Sequence, residues 1–142
     1  MENNQEFELL ELILIESTFS RKGEVSFASP EYQNNISIDR EHHFDTPNLY
    51  VTLKIGINSG VGGEDEATFN VHMLGIFRKN PEINNIGLES FAKINAPAII
   101  FPFIREHIAS LSSKARLPLL LLPPLNFVKI VEDSEKQELV TK

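Results

Sequence analysis

The stretch LYVTLKIGIN, residues 49–58, alternates without interruption. Leu49, Val51, Leu53, Ile55 and Ile57 fall on one side of an extended chain, and Tyr50, Thr52, Lys54, Gly56 and Asn58 on the other. A period of two with one wholly aliphatic side predicts a strand that buries one face and wets the other. Such a strand belongs in an antiparallel sheet covered on one side only. The flanking sequence supplies neighbours. Residues 67–77, ATFNVHMLGIF, read as the next strand, with Gly75 marking a bulge. Residues 35–44, NISIDREHHF, set Ile36 and Ile38 against polar neighbours. Between these runs, DTPN (45–48) is a turn signal and SGVGGEDE (59–66) a loop. EVSFASP (24–30) reads as a short strand ended by Pro30. EFELLELILIE (6–16) reads as a strand buried on both faces, one carrying Phe7, Leu9, Ile13 and Ile15, the other Leu10, Leu12 and Leu14; its leucines and glutamates also suit a short helix. The order is that of a meander.

After Pro81 the pattern changes. LESFAKIN (88–95) predicts a short helix, and Pro97 suits the start of a second one with Asn95 or Ala96 near its cap. Phe101, Ile104, Ile108 and Leu111 recur at spacings of three and four and form an apolar stripe, with Arg105 and Ser112 read as lying away from it. Pro102 must start or kink the helix. Lys114 and Arg116 sit where cations favour the helix dipole. Then Pro118, Pro123 and Pro124 forbid a continuing helix while six leucines fall within residues 117–125. That segment must be extended, near polyproline geometry. It either covers the core or lines a groove for another apolar chain.

The chain of 142 residues is a single domain by length. It has no cysteine, which excludes disulfides, thiolate chemistry and the commonest structural zinc sites. Thirteen basic against 20 acidic residues give −7, which argues against nucleic acid as a partner. The N-terminal MENNQEFELLELILIE has no basic flank, and Glu8 and Glu11 interrupt its apolar run, so neither a secretory signal nor a membrane span is expected. A bacterial-type cytoplasm is the expected compartment.

Catalytic and metal chemistry find little support. His42 and His43 are neighbours that a strand points to opposite faces, and His72 and His107 lack a ligand-spaced partner, so no metal and no cofactor is expected. Glu106 and His107 diverge on a helix and read as an interface pair. GVGGEDE lacks the Lys-Ser/Thr of a phosphate loop and carries carboxylates instead. Serines 110, 112 and 113 have no nucleophile-elbow context. The terminal EDSEKQE reads as a solvated end. Phe27, Tyr32 and Phe127 either fill the core or line an aromatic subsite.

The residues FPFIREHIASLSSKARLPLLLLPPLNF (101–127) resemble the SecB family of protein-export chaperones. Phe101-Pro102-Phe103, Arg105-Glu106 and Pro124-Leu125-Asn126-Phe127 carry the likeness, with VSFASP (25–30) and GIF (75–77) in order upstream. The resemblance implies an α+β fold: a four-stranded antiparallel sheet (about 6–77) backed by a long helix (88–116), then the extended apolar segment 117–127 and a short tail 128–142. It implies a dimer of dimers, with sheets paired into eight strands and helices sandwiched between them. It implies a holdase that uses no ATP, metal or cofactor, is not an enzyme, binds unfolded polypeptides, keeps them competent for export or transfer, and hands them to the translocase motor SecA. The implied client groove is formed by Phe27, Tyr32, Leu119, Leu120, Leu121, Leu122, Leu125 and Phe127. The stripe Phe101, Ile104, Ile108 and Leu111 would serve tetramer assembly, and Glu24 the motor contact. Two carboxylates usual at that contact are replaced, by Ala28 and His72, and the tail is shorter than the usual lid-like helix. A SecB-like chaperone dedicated to one partner such as an antitoxin, and a small-molecule-binding sheet-plus-helix domain, are the rival readings. The zone around Ala96, Ile99 and Ile100 offers the latter no acid, base or nucleophile.

Overall fold

The computed structural model describes residues 5–118, 120 and 122–140, and residues 135–140 by their backbone alone. Four strands, β1 (Phe7–Arg21), β2 (Gln33–Asp45), β3 (Asn48–Gly60) and β4 (Ala67–Lys79), form one antiparallel sheet in the order β1-β4-β3-β2. β2, β3 and β4 are the expected meander. β1 instead reaches the far edge through a crossover, residues 22–32, because two strands already lie between it and β2. The crossover is irregular rather than a strand: Ser29 N–H bonds Ser26 O and Tyr32 N–H bonds Ser29 O, closing turns through EVSFASP.

In β3 the aliphatic side is sealed, with Leu49, Val51, Leu53, Ile55 and Ile57 all buried. β4 sets Phe69, Val71, Gly75 and Phe77 beside them in register. β1 departs from the expected faces. Register shifts between Leu9 and Glu11 and between Leu14 and Glu16 leave Leu10 and Ile15 as extra residues. Each bulge reverses the alternation. Phe7, Leu9, Leu12 and Leu14 therefore share the helix-covered face, opposite Lys79, Phe77, Gly75 and Met73, and Ile13 joins Leu74 on the open face. Nor is β1 buried on both faces: it is an edge strand, with Leu9, Leu10, Ile13, Leu14 and Ile15 exposed. The bulges lie on β1. Gly75 is required for another reason, since a Cβ there would lie 2.9 Å from the Phe77 ring and 3.0 Å from Ile100.

A continuous helical rod covers the sheet. It runs from α1 (Leu88–Ser90) through a π-helical turn (Phe91–Asn95) into α2 (Ala96–Lys114). The expected cap at Asn95 is absent, because Asn95 and Ala96 both have helical backbone angles and Ala96 N–H bonds Phe91 O. The π-helical turn joins the two predicted helices into one. Phe91 stacks on Phe7 at 3.8 Å and meets Phe77 edge-on at 5.1 Å, which docks the rod's start. Pro102 lies inside α2 on its exposed side. α2 ends as Leu117 N–H returns to Ser112 O and Ala115 N–H to Leu111 O, with Arg116 left-handed at φ 56°. A third helix, α3 (Phe127–Val140), follows the proline-rich segment and packs on the π-helical turn.

Glu6 fixes the loop between β4 and the rod. Its carboxylate accepts hydrogen bonds from the N–H groups of Asn85 (3.0 Å), Ile86 (2.8 Å) and Gly87 (3.0 Å), with Lys79 Nζ at 3.7 Å. Burial pushes the Glu6 carboxyl up, but the three N–H groups and the ammonium outweigh it and hold it below its ordinary value. The ionised form is thus favoured by folding. Its contribution is fully present above the ordinary value of 4.5 and is lost as pH falls through the lower folded value. Glu6→Gln is accordingly expected to melt below the wild type at neutral pH, with the gap closing on acidification. Thermal melts between neutral and acid pH check this; a gap that does not narrow refutes it.

Candidate functional site

The crossover and the proline-rich segment meet at one end of the sheet. Tyr32 and Leu120 line the same small cavity, of about 60 Å³, floored by Phe69 and Ser59 and bordered by Leu117 and Pro118. Each wall is tied by hydrogen bonds that link distant parts of the chain. Glu66, itself buried, accepts from Ser26 Oγ (2.8 Å) and Ser26 N–H (3.2 Å), and its carbonyl accepts from Lys22 N–H. Arg21 donates to Ala115 O at 2.5 Å and to Gly23 O at 3.0 Å, joining the crossover to the C-terminus of α2. Ser112 Oγ donates to Ala109 O and accepts from Leu120 N–H at 3.2 Å, which fixes the extended segment against the helix. Ser59 Oγ donates to Asn34 Oδ1 at 2.5 Å in the floor.

The leucines beyond α2 divide into two sets. Leu122 is 2 % and Phe127 3 % exposed, and Phe127 meets Phe101 edge-on at 6.2 Å. Both are core anchors and not groove residues in this protomer, because the segment folds back along α2 and turns them inward. Leu120 and Leu125 are half-buried against the same core. Leu119 and Leu121 lie outside the described residues. Phe27 is 46 % exposed on the crossover, and Ile36 is 40 % exposed although it lies on the helix-covered face of β2. Ile36 was not among the expected site residues; its alternation with polar neighbours was the available signal. Glu66 was missed too, since nothing in its local sequence points to Ser26, 40 residues away.

The helical stripe also reads differently in the structure. Phe101, Ile104 and Ile108 are buried against this protomer's own sheet, with Leu111 packed beside them, so they are not free to form a tetramer contact. Ser112 belongs to the stripe, fully buried. The uncovered apolar surface lies instead on the other flank of α2, at Ile99 and Phe103, and along β1. His107 bonds Ser17 Oγ on β1 at 2.8 Å rather than pairing with Glu106.

The open face of the sheet is largely polar, with Ile13, Leu74 and Ile76 as an apolar patch. Its β2 row is Asn35, Ser37, Asp39, Glu41 and His43, and its β1 row carries Glu8, Glu11 and Glu16. His72 lies there with Nδ1 3.5 Å from Glu16, His43 stacks on Tyr50, and Lys54 pairs with Glu41 at 3.1 Å. His42, on the covered face, contacts Glu89 at 3.3 Å. Glu24 and Ala28 are exposed on the crossover. A second concave surface of about 360 Å³, largely apolar, lies at the opposite end of β2 between Phe44, Pro47, Pro81 and Leu88. No described helix is long and apolar enough to cross a membrane.

Comparison with known proteins agrees with this architecture. One family, described as preprotein translocase subunit SecB, matches residues 10–138. The chain is 30% identical over 112 residues to protein-export protein SecB of Nitrosococcus oceani, covering 76% of this chain and 65% of that protein. It is 34% identical over 101 residues to SecB of Acinetobacter baylyi, covering 69% and 64%. It thus spans just under two thirds of these two relatives. An uncharacterized protein of Methanocaldococcus jannaschii is 30% identical over 117 residues, 73% of this chain and 74% of that one. Among solved structures, a SecB-like chaperone of Mycobacterium tuberculosis, in complex with a peptide from the HigA1 antitoxin, superposes with a TM-score of 0.75 over 85% of this chain and 91% of the other. At 16% identity that likeness shows the fold. Sheet order, covering rod and sequence together make the chain a member of the SecB family, chaperones that carry out no catalysis.

Proposed function

We propose that the protein is a holdase that works without ATP in the cytoplasm, binding unfolded polypeptides along the helix-covered side of β2 and keeping them competent for export or transfer. The carrying observation is the cavity in which Tyr32 of the crossover meets Leu120 of the extended segment, with Phe27 exposed on the crossover and Ile36 on β2. Large apolar side chains held at a surface by fixed walls favour contact with another chain over further burial. β2 is an edge strand, so its outer N–H and C=O groups offer backbone pairing to an extended client. Spread apolar contact and backbone pairing give low specificity, as a holdase needs.

The oligomer proposed here is a dimer of dimers built on β1 and the outer flank of α2. Leu9, Leu14, Ile99 and Phe103 are exposed there, and a bare edge strand with apolar side chains calls for a partner. Delivery to SecA is the further part of the proposal. It is supported by Glu24 and by the carboxylates of the open face, and weakened by Ala28 and by His72 beside Glu16. Dedication to one partner is the second reading, favoured by the antitoxin peptide bound to the M. tuberculosis chaperone.

The experiment is suppression of aggregation of several unrelated unfolded proteins by the wild type and by the double variant Phe27→Ser, Ile36→Ser. Losing two apolar contacts is expected to raise the concentration needed about tenfold, with the melting temperature unchanged because both side chains are exposed in the free protein. Light scattering of the same samples is expected to give a tetramer. Equal protection by both proteins would overturn the groove, protection of a single client would favour the dedicated chaperone, and a monomer would overturn the assembly.

A further inference from the structure

Midway along the same side of β2, Arg40 of the strand and Arg105 of α2 each bury an Nε atom that has no hydrogen-bond partner among the described residues. Arg40 lies on the covered face, opposite Leu53 of β3, which in turn lies opposite Met73 of β4. The level of α2 over the sheet is fixed at two points. Ile100 sits over Gly75, and His107 bonds Ser17, which pairs with Val71. Residues between 100 and 107 therefore pass the level of Met73, which brings Arg105 near the row of Arg40. Its side is fixed as well. Positions 101, 105, 108 and 112 repeat at four, three and four, one stripe of a helix. Phe101 holds α3 through Phe127, and Ser112 holds the extended segment through Leu120, so Arg105 faces the segment and β2, away from His107 and β1.

Both Nε atoms are buried with no hydrogen-bond partner, and among the described residues neither guanidinium forms an ion pair. Among the described residues, the carboxylates of β2 and of the rod beside them are committed elsewhere or point away. Asp39 and Glu41 alternate to the open face, where Asp39 accepts from the Arg40 backbone N–H and Glu41 pairs with Lys54. Glu89 is taken by His42 and Lys93. Glu106 is exposed, a hundred degrees round the helix from Arg105. Two partly buried guanidinium groups, each with an unpaired buried Nε, carry a desolvation cost that a carboxylate would remove with charge-assisted, fork-like hydrogen bonds. The net charge of −7 would repel such a ligand, so any preference for it must arise locally.

We infer that Arg40 and Arg105 form a cationic subsite for an acidic side chain of a bound, extended polypeptide, with apolar residues engaged on either side, at Tyr32 and Leu120 and at Phe44 and Leu88. This rests on the client-binding reading and adds to it a preferred sequence: an Asp or Glu flanked by apolar residues. Asn34 and Phe44 end the covered face of β2, about 33 Å apart at strand rise, so a client segment of about twelve residues spans the whole path.

The test uses two fluorescein-labelled peptides of about that length, apolar at both ends and identical except for a central Asp or Asn. Both are titrated by fluorescence anisotropy against the wild type, Arg40→Gln and Arg105→Gln, with melting temperature and oligomeric state as controls. The Asp peptide is expected to bind the wild type about tenfold tighter, and the advantage to shrink with salt. Each Gln variant is expected to lose that advantage while the Asn peptide's affinity stays within about twofold. Equal binding of the two peptides to the wild type, or equal loss of both in the variants, would overturn the subsite and leave the holdase reading standing. Failure of the Asn peptide to bind the wild type would overturn the holdase reading and the subsite together.

Discussion

Replacing Gly75 by valine is expected to destabilise the protein by about 3 kcal/mol or more, and to lower its melting temperature by roughly 10 °C. The position is where the covering rod comes closest to the sheet. Gly75 lies between Leu12 of β1 and Val51 of β3, and a Cβ there would sit 2.9 Å from the Phe77 ring and 3.0 Å from Ile100 Cδ1. Ile100 is fully buried, and Phe77 is 1 % exposed and wedged against Phe91, so neither can swing aside. Valine adds two further methyl groups to that clash and lifts α2. Alanine is the graded control. It incurs the first clash but gains strand order over glycine, so a net loss of about 1 kcal/mol is expected. Thermal denaturation checks both. A valine variant that melts with the wild type would mean that the rod does not press on β4 at this point.

Gly75 also shows how far the sequence could be read. A glycine in a strand signals a bulge or a close approach, and the sequence carries no mark to separate them. The bulges lie on β1, at Leu10 and Ile15, in a run so uniformly apolar that a slip of one residue leaves no trace in the pattern. β3 was legible because its polar and apolar residues alternate strictly and only one face is covered. The segment after α2 was legible as extended, since its prolines forbid a helix. Which of its leucines point inward was not, because an extended chain without a partner strand has no fixed period. Leu122 goes to the core while Leu120 borders the cavity, a register held in part by the Ser112–Leu120 hydrogen bond, which joins residues eight apart. Ser112 and Arg105 read as lying away from the stripe, yet Ser112 is buried on it and Arg105 is half-buried at its flank. The ties that shape the walls, Glu66 to Ser26 and Arg21 to Ala115, join residues 40 and 94 apart, beyond any local pattern.

The second large effect is expected at Phe127. Its ring is 3 % exposed and packs edge-on against Phe101, so Phe127→Ala should cost about 3–5 kcal/mol through lost burial and the cavity left behind. The loss should not be confined to stability. The extended segment is held at its near end by Ser112 and at its far end by Leu122 and Phe127, and through Leu117, Pro118 and Leu120 it forms one wall of the proposed groove. Removing the far anchor should free that wall together with α3, so amide exchange is expected to quicken at Leu120, Leu122, Leu125 and Asn126 before the sheet opens. Client binding should fall in parallel, although Phe127 itself is sealed from any client. The Phe27→Ser, Ile36→Ser variant supplies the contrast, with client binding lost and the melt unchanged. Two variants that weaken client protection, of which only one speeds exchange in the segment, would separate the groove's lining from its support. If Phe127→Ala lowered the melting temperature but left exchange at Leu120 and protection of clients intact, the segment would be held by Ser112 and Leu122 alone, and α3 would play no part in shaping the groove.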